Sequence, residues 1–485
     1  MQNAVLILDQ DTALAGLIAR TLRSQQVYCE LAPFGIRKDA ALQNAPCGII
    51  IAARADPAPD LSAFDTALLS AGLPVLALGG MVPALCAHFG GATQTQEGPN
   101  ESITLGLAED PLFDGMSGGE RVFHSFSDLS LPESLNCLAT ATERCIGFYD
   151  VPAKLYAVQY PIERNDPDAV QLLRNFACLI CGVTPDWTEE RIVEQAVDAL
   201  RNIAGDGRVL CAVSGGVDSA VCAKLAHEAV GDRLTCVFVD TGLFRRDEPD
   251  EVIQNYLDTL GLPVVRVDAR KAFLHALEGV TAVLEKERIV SSLLRQVYYK
   301  QLTEIPDART LVLGTNYNDT LYGAQPAALL PEASGGAALR VTEPVRVLFK
   351  DEIRRIAKAL SLPGSIAERQ PFPASGLAVR IYGEVTEERL ALLRAADAIF
   401  SEEVRAGGHE RRLWQYYASL GENREGQEGY VAVLRACQAC GGDACASRLP
   451  YDLLERVVER ILHTLPQVTR VVYDMTPSQN YALME

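Results

Sequence analysis

Short unbroken apolar runs alternate with helix-period segments along most of the chain. Ala4-Val5-Leu6-Ile7-Leu8, Gly48-Ile49-Ile50-Ile51 and Pro74-Val75-Leu76-Ala77-Leu78 have no polar face, the pattern of strands buried on both sides. Thr12 to Ser24 has helical periodicity, Val27-Tyr28-Cys29-Glu30-Leu31 follows it, and Tyr156-Ala157-Val158-Gln159-Tyr160 closes the set. This order predicts a doubly wound α/β domain over residues 1–187. The rhythm then repeats. Thr184-Pro185-Asp186-Trp187 is a turn into a helix over Thr188 to Ile203, and Val209 to Val213 reads as a buried strand. A glycine turn leads to a helix from about Ser219 to Val230. Leu234 to Asp240, Pro263 to Asp268 and Thr310 to Thr315 are further strands. Helices of ten or more residues between strands predict a parallel sheet with a site at the strands' carboxyl ends. Phe349-Lys350-Asp351-Glu352 opens another helix. Beyond residue 380 come an amphipathic helix, Glu387 to Ala406, strands at Val431 to Ala436 and Thr469 to Asp474, and between them a helix capped by Leu449-Pro450-Tyr451-Asp452.

The turn after Val213 carries the clearest chemistry. Ser214-Gly215-Gly216-Val217-Asp218-Ser219 joins a buried strand to a helix N-terminus, where backbone N–H groups and the helix dipole attract an anion. Gly215 and Gly216 let the backbone approach a phosphate with no Cβ in the way. Ser214 and Ser219 add hydroxyl donors, and Asp218 can hold the Mg²⁺ that a polyphosphate brings. No Lys-Ser or Lys-Thr follows the glycines, so this is not the Walker arrangement. The bland alternative is an ordinary strand–turn–helix.

Composition narrows the setting. At 485 residues the chain exceeds a single core, and about two to four domains are expected. The net charge of −19 argues against a nucleic-acid groove over most of the surface, while leaving room for a local basic phosphate pocket. No N-terminal apolar stretch fits a signal peptide or a membrane span. Several of the thirteen cysteines (Cys211, Cys222, Cys236) sit inside apolar segments, which points to a reducing cytoplasm and no disulfide framework.

The 214–219 segment resembles the SGGxDS loop of the ATP pyrophosphatases, which grips the β,γ-pyrophosphate of ATP so that AMP is transferred to a substrate oxygen. Val237-Phe238-Val239-Asp240-Thr241-Gly242-Leu243, with Arg245, resembles the VFVDxGLxR segment of GMP synthetases, whose strand end contacts adenine through backbone groups. Gly314-Thr315-Asn316-Tyr317-Asn318-Asp319 resembles that family's GTxYPD motif, with Tyr322 where a Glu is usual. The resemblance implies close approach of Gly314 to the nucleotide, Asp319 as a second carboxylate for Mg²⁺, and Lys350 on the ATP phosphates. Lys350 also reads as a solvated residue of a helix's first turn. Arg369-Gln370-Pro371-Phe372-Pro373-Ala374-Ser375-Gly376-Leu377-Ala378-Val379-Arg380 is similar to the RHPFPGPGLxxR segment lining the family's purine-nucleotide pocket. It matches at Arg369, Pro371, Phe372, Pro373, Gly376, Leu377 and Arg380. The implied fold class is α/β in three parts: an amidotransferase-like α/β domain over 1–187, a parallel-sheet ATP pyrophosphatase domain over 188–380, and a small α+β dimerisation domain over 381–485, in a homodimer.

The first part resembles a class I glutamine amidotransferase stripped of its chemistry. That family needs a nucleophilic Cys on a strand-to-helix elbow and a His and Glu to activate it. Here the elbow reads Leu76-Ala77-Leu78-Gly79-Gly80-Met81, so Gly79 takes the place of the nucleophile. Pro161 replaces the His of Pro161-Ile162-Glu163, Glu163 is kept, and the oxyanion-loop glycines become Ala53-Arg54. Cys86 and His88 read as packing residues, and His124 has no evident partner. The Cys178-Leu179-Ile180-Cys181 spacing invites a metal or redox reading, but a structural one is favoured because the pair ends an apolar helix. Glutamine hydrolysis is therefore not expected.

The acceptor side also departs from the family. The lid is shortened to Pro331-Glu332-Ala333-Ser334-Gly335-Gly336-Ala337, and the tail Thr476 to Glu485 lacks the Lys that binds the acceptor's phosphate. Cys437-Gln438-Ala439-Cys440-Gly441-Gly442-Asp443-Ala444-Cys445 reads as a three-cysteine loop. It suits zinc or iron–sulfur ligation or a sulfur relay, or it is three unrelated small residues. The expected activity is a ligase using ATP and Mg²⁺ that adenylylates an oxo group of a purine nucleotide, such as xanthosine monophosphate, with AMP then displaced by nitrogen. That nitrogen comes as free ammonia, from a partner protein, or as an amine. The alternatives are a sulfur-inserting enzyme using Cys437, Cys440 and Cys445 with a sulfur-supplying partner, and a nucleotide-binding pseudoenzyme.

Overall fold

The computed structural model describes residues 3–54, 59–97, 102–123, 125–321, 340–424, 428–440 and 443–476. The chain divides into two compact units, Met1–Arg191 and Ile192–Glu485.

In the first unit the strands are β1 (Val5–Asp9), β2 (Cys29–Pro33), β3 (Gly48–Ala53), β4 (Val75–Gly79), β5 (Ala92–Glu97), β6 (Ser102–Leu107), β7 (Gly119–Val122), β8 (Ser125–Ser130), β9 (Asn136–Ala141), β10 (Arg144–Asp150) and β11 (Leu155–Val158). Nine of them form one sheet in the order β2-β1-β3-β4-β11-β10-β9-β6-β7, and β5 pairs with β8 apart from it. From β2 to β11 the pairing is parallel, with Ile7 beside Ile50 and Ile51 beside Ala77. These side chains are fully buried, as their unbroken apolar runs require. From β11 onward the sheet is antiparallel. The doubly wound expectation therefore holds for half the sheet and needs correction for residues 92–150. Segments such as Gly119–Val122 are short and polar, and they owe their strand state to neighbours far along the chain. The second strand also starts later than its apolar run, because the Val5 N–H bonds to the Tyr28 carbonyl and the ladder opens at Cys29. The helix Pro167–Asn175 continues into a π turn over Phe176–Ile180, and the Cys181 sulfur abuts Gly48 so closely that a Cβ there would lie 2.3 Å from it.

The second unit is built on a five-stranded sheet of β12 (Arg208–Val213), β13 (Leu234–Asp240), β14 (Val264–Asp268), β15 (Ala308–Val312) and β16 (Arg340–Thr342). Its order is β14-β13-β12-β15-β16, parallel throughout. A second sheet contains β17 (Gln415–Asn423), β18 (Gly429–Cys440), β19 (Asp443–Ala446) and β20 (Val468–Tyr473), with β18 pairing all three others. One hydrophobic core runs through both, from Leu210 and Val237 to Phe400, Leu434 and Val457. Two amphipathic helices, Glu387–Ala406 and Tyr451–Thr464, cover the second sheet, with Thr386 capping the first by accepting the Arg389 N–H. Inside this core Lys286 is fully buried, and its ammonium donates to the carbonyls of Ala378, Ile381 and Gly383 at 2.6–3.1 Å.

The three-cysteine loop is not a loop. Cys437 and Cys440 lie on β18 and Cys445 on β19, and residues 441–442 between them fall outside the described residues. Register pairs Gln438 with Cys445, and because successive strand residues alternate faces, Cys437 and Cys445 lie on opposite sides of the sheet. Cys437 is buried against Trp414 and Tyr417.

Candidate active site

The 214–219 turn leaves the carboxyl end of β12, the central strand, and enters the helix Val217–Val230. Gly215 has φ +83°, a left-handed conformation that favours glycine, and a Cβ there would collide with Val252 and the Arg369 guanidinium. Hydroxyl contacts hold the turn. The Ser214 N–H donates to Ser219 Oγ at 3.2 Å, the two Oγ atoms are 3.2 Å apart, and Ser219 Oγ donates to the Gly216 carbonyl at 3.0 Å. The hydroxyl of Tyr256, wholly buried, is 3.3 Å from Ser219 Oγ. Gly314 approaches the same turn from β15, where an added Cβ would sit 3.0 Å from the Ser219 nitrogen, so its small size serves loop packing directly.

Asp218 projects from the first turn of the helix. Its Oδ2 takes the Lys350 ammonium at 2.6 Å and lies 3.4 Å from the Asn316 amide nitrogen. Its Oδ1 is buried with no hydrogen-bond partner. A buried carboxylate oxygen left open beside a phosphate loop fits a Mg²⁺ ligand. Asp319 is differently engaged: its Oδ2 accepts the Asn316 N–H at 2.8 Å, and Asn316 Oδ1 accepts the Asp319 N–H at 3.2 Å, a reciprocal pair that starts the helix Tyr317–Leu321. Among the described residues no group of three or more His, Cys, Asp or Glu is placed to hold a metal by itself. The Thr315 hydroxyl donates to Glu343 at 2.6 Å. At the end of β13, beyond Val239, the buried Asp240 accepts Arg266 at 2.6 Å and the Gly242 N–H at 3.0 Å, and it raises the Arg266 guanidinium above its ordinary value.

The 369–380 segment lies against this edge. Arg369 donates to the Gly215 carbonyl at 2.9 Å and pairs with Glu248. The Pro371 carbonyl accepts Gln415 at 3.1 Å. Gly376 has φ +60°, and a Cβ there would fall 2.4 Å from the Leu243 carbonyl oxygen, which already accepts the Leu377 N–H at 2.7 Å. The Phe372 ring is faced by the guanidinium groups of Arg245 at 4.7 Å and Arg380 at 5.1 Å, and Arg380 also lies 4.2 Å from the Tyr417 ring. Asp397 is the carboxylate both arginines approach, at 3.2 Å for Arg245 and 3.7 Å for Arg380. Burial and the neighbouring Arg245 push the Arg380 guanidinium down to about 10, and its Nη1 and Nη2 have no hydrogen-bond partner. Two arginines on one carboxylate leave positive charge free for an anion.

The structure thus brings Ser214, Gly215, Gly216, Val217, Asp218, Ser219, Gly314 and Lys350 to one strand edge, with Arg369 touching the same turn. Sequence reasoning missed Glu248, Asp397, Glu343 and Tyr256. Tyr322, the shortened lid at 331–337 and the tail from 477 lie outside the described residues, as do His124 and the Cys440 side chain.

In the first unit the elbow position is physically closed. Gly79 has φ +61°, and a Cβ there would lie 2.3 Å from the Ala53 carbonyl oxygen. That oxygen accepts the Gly80 N–H at 2.8 Å. Pro161 is half-buried and Glu163 exposed, while Cys86 is buried and His88 exposed. Beside them Tyr160 accepts Arg121 at 2.8 Å and donates to Asp166 at 3.2 Å.

A five-stranded parallel sheet with this glycine–serine turn at its carboxyl edge defines a nucleotide-binding ATP pyrophosphatase of the PP-loop type. Family models match accordingly: NAD synthase over residues 190–390 and GMP synthase C terminal domain over 402–483. The glutamine-hydrolysing GMP synthase of Caldicellulosiruptor saccharolyticus is 36% identical over 506 residues, covering 97% of each chain. That of Thermomicrobium roseum is 38% identical over 510 residues, covering 98% of this chain and 95% of its own. Among solved structures, NMN synthetase from Francisella tularensis aligns at 20% identity with a TM-score of 0.31, covering 39% of this chain and 78% of its own. The chain belongs to the GMP synthase family and is a ligase of the ATP pyrophosphatase type.

Proposed function

We propose that the protein adenylylates an oxo group of a purine nucleotide, xanthosine monophosphate or an analogue, and aminates it with ammonia that its own first unit does not make. The observation that carries this reading is the Asp218–Lys350 pair beside the phosphate turn, with Asp218 Oδ1 open. Ser214, Gly215, Gly216, Val217 and Ser219 cradle the β,γ-pyrophosphate of ATP, while Val239, Asp240, Gly314 and Thr315 flank the nucleotide. Asp218, with Asp319 nearby, would hold Mg²⁺, which would neutralise polyphosphate charge. The acceptor oxygen attacks the α-phosphorus and the bond to the β-phosphate oxygen breaks. Lys350 stabilises the charge that pyrophosphate carries away. Ammonia then adds to the activated carbon, loses a proton to water, and AMP leaves with the acceptor's oxygen. Arg380, between Phe372 and Tyr417, supplies cationic charge for the acceptor's phosphate, with Arg369, Pro371 and Gly376 shaping that side.

The closed elbow at Gly79 and the loss of the His at Pro161 support a first unit without glutaminase activity, so nitrogen arrives as free ammonia or from a partner. The opposite-face placement of Cys437 and Cys445 weighs against a metal or sulfur site shared by all three cysteines, so amination is the reading the geometry favours over sulfur insertion. The three-part division at 187 and 380, the homodimer and the cytoplasmic setting are carried as family expectations. Among the described residues no helix is long and apolar enough to cross a membrane. Oxygen-18 placed in the acceptor's oxo group tests the chemistry: the reading expects the label in AMP, and unlabelled AMP contradicts it.

A further inference from the structure

Arg369 does more than border the acceptor. Its guanidinium reaches back to the phosphate turn, donating to the Gly215 carbonyl at 2.9 Å, and its other arm pairs with Glu248. The second oxygen of Glu248 accepts the main-chain N–H of Arg245 at 2.8 Å, so the path crosses to Arg245 through its backbone. The Arg245 guanidinium then forms an ion pair with Asp397, Nε to carboxylate oxygen at 3.2 Å without a hydrogen bond, and Asp397 accepts the Ala418 N–H of β17 at 2.9 Å. Glu248 is 3% exposed and Asp397 2%, so water cannot replace a missing partner. Removing Arg369 leaves the Glu248 carboxylate buried without its counter-charge, which ties the turn, Glu248 and the 369–380 segment together. The backbone is committed to this arrangement. Asp247 sits at φ +59°, left-handed and unusual for a residue other than glycine, and it places Glu248 at the first position of the helix Glu248–Leu260.

We propose that Arg369 and Glu248 form a strut that passes occupancy of the phosphate turn to the acceptor segment 369–380 and to β17, so that nucleotide binding sets the acceptor site. They are positioning residues, and the inference rests on the reading of the 214–219 turn as the ATP site. A polyphosphate seated on the turn fixes Gly215. Arg369 is held against that carbonyl, and through Glu248, Arg245 and Asp397 the amides that hang on the network become less free to open.

The test needs no knowledge of the acceptor. Amide hydrogen exchange is followed with and without Mg²⁺ and α,β-methylene-ATP, which cannot release pyrophosphate. In the parent protein the analogue should slow exchange across 214–219 and also, by about tenfold, at Leu377, Tyr416 and Ala418, a coupling of the size that linked sites show. In Glu248→Gln the turn should stay protected while the three distant amides respond by less than about twofold. Ligand-free exchange in the helix Tyr451–Thr464 reports folding, and Arg369→Lys serves as the second variant if Glu248→Gln is unstable. Full protection of Leu377, Tyr416 and Ala418 in both variants overturns the strut, as does a parent whose protection stops at the turn. A parent unprotected at 214–219 overturns the site reading itself, and the strut with it.

Discussion

The Lys350 ammonium lies 2.6 Å from Asp218 Oδ2, while Asp218 Oδ1 is buried without a partner. One carboxylate thus joins a cation from a separate helix to a phosphate turn and keeps a coordination position open. Both side chains are mostly but not wholly buried, so this pair is poised for charge that arrives with a ligand. Asp218→Asn and Lys350→Ala should each lower the rate of pyrophosphate release by about 100-fold or more, the usual scale for removing a charge stabiliser at a reacting phosphate. Near-parental melting temperatures should accompany the loss. A variant with parental turnover would remove its residue from the chemistry.

Restoring a thiol at the elbow should not restore glutaminase. In Gly79→Cys the new Cβ meets the Ala53 carbonyl at 2.3 Å, and φ +61° strains any β-carbon. The substitution should destabilise the first unit by about 1–3 kcal/mol in denaturant unfolding and yield no glutamate from glutamine.

Arg380, proposed to meet the acceptor, makes no hydrogen bond through Nη1 or Nη2, although Nη1 lies 3.7 Å from Asp397. Arg380→Met keeps the apolar contacts with Phe372 and Tyr417 and removes the charge. It should raise the acceptor KM by at least about tenfold with little change in the KM for ATP, as expected for loss of a charge-assisted contact. Steady-state kinetics with each substrate varied in turn separate the two effects.

Lys286 gives the fold a pH signature. Burial, with Arg389 nearby, pushes its ammonium down to about 8, while the unfolded chain keeps a value of about 10.4. Below pH 8 both states are protonated, and the cost of the buried charge is fully present. Between about 8 and 10.4 the unfolded state holds more protons, so this group makes stability rise with pH. Lys286→Met removes that rise and leaves the carbonyls of Ala378, Ile381 and Gly383 without their donor. It should destabilise the second unit by about 1–3 kcal/mol at pH 8, with the gap to the parent widening toward pH 10 in urea unfolding.

Local features were the ones legible in the chain. Thr12–Ser24 and Glu387–Ala406 are helices at the bounds their periodicity and caps imply, and the strand at Leu234–Asp240 matches its apolar run. The helix after the phosphate turn starts at Val217 rather than Ser219, because Gly216 is extended and acts as the cap. The antiparallel half of the first sheet was not legible: its strands are short and partly polar, and cross-strand partners decide them. The phosphate turn could be read from six consecutive residues. The strut could not. Glu248 and Arg369 are 121 residues apart, and Glu248 is placed by the left-handed backbone at Asp247, for which the sequence offers no glycine as a signal. The cysteines at 437–445 read as a loop because the glycines at 441–442 suggest one, whereas they lie on paired strands whose alternation, which spacing alone does not reveal, puts Cys437 and Cys445 on opposite faces.

The proposed activity is that of an ATP pyrophosphatase-type ligase working with ammonia rather than glutamine. Its most direct test is pyrophosphate release from MgATP and xanthosine monophosphate, with ammonia or with glutamine as the nitrogen source. The account predicts release and GMP formation with ammonia and none above background with glutamine. Turnover supported by glutamine alone would contradict the closed elbow at Gly79, and no turnover with ammonia would contradict the acceptor assigned to Arg380 and its neighbours.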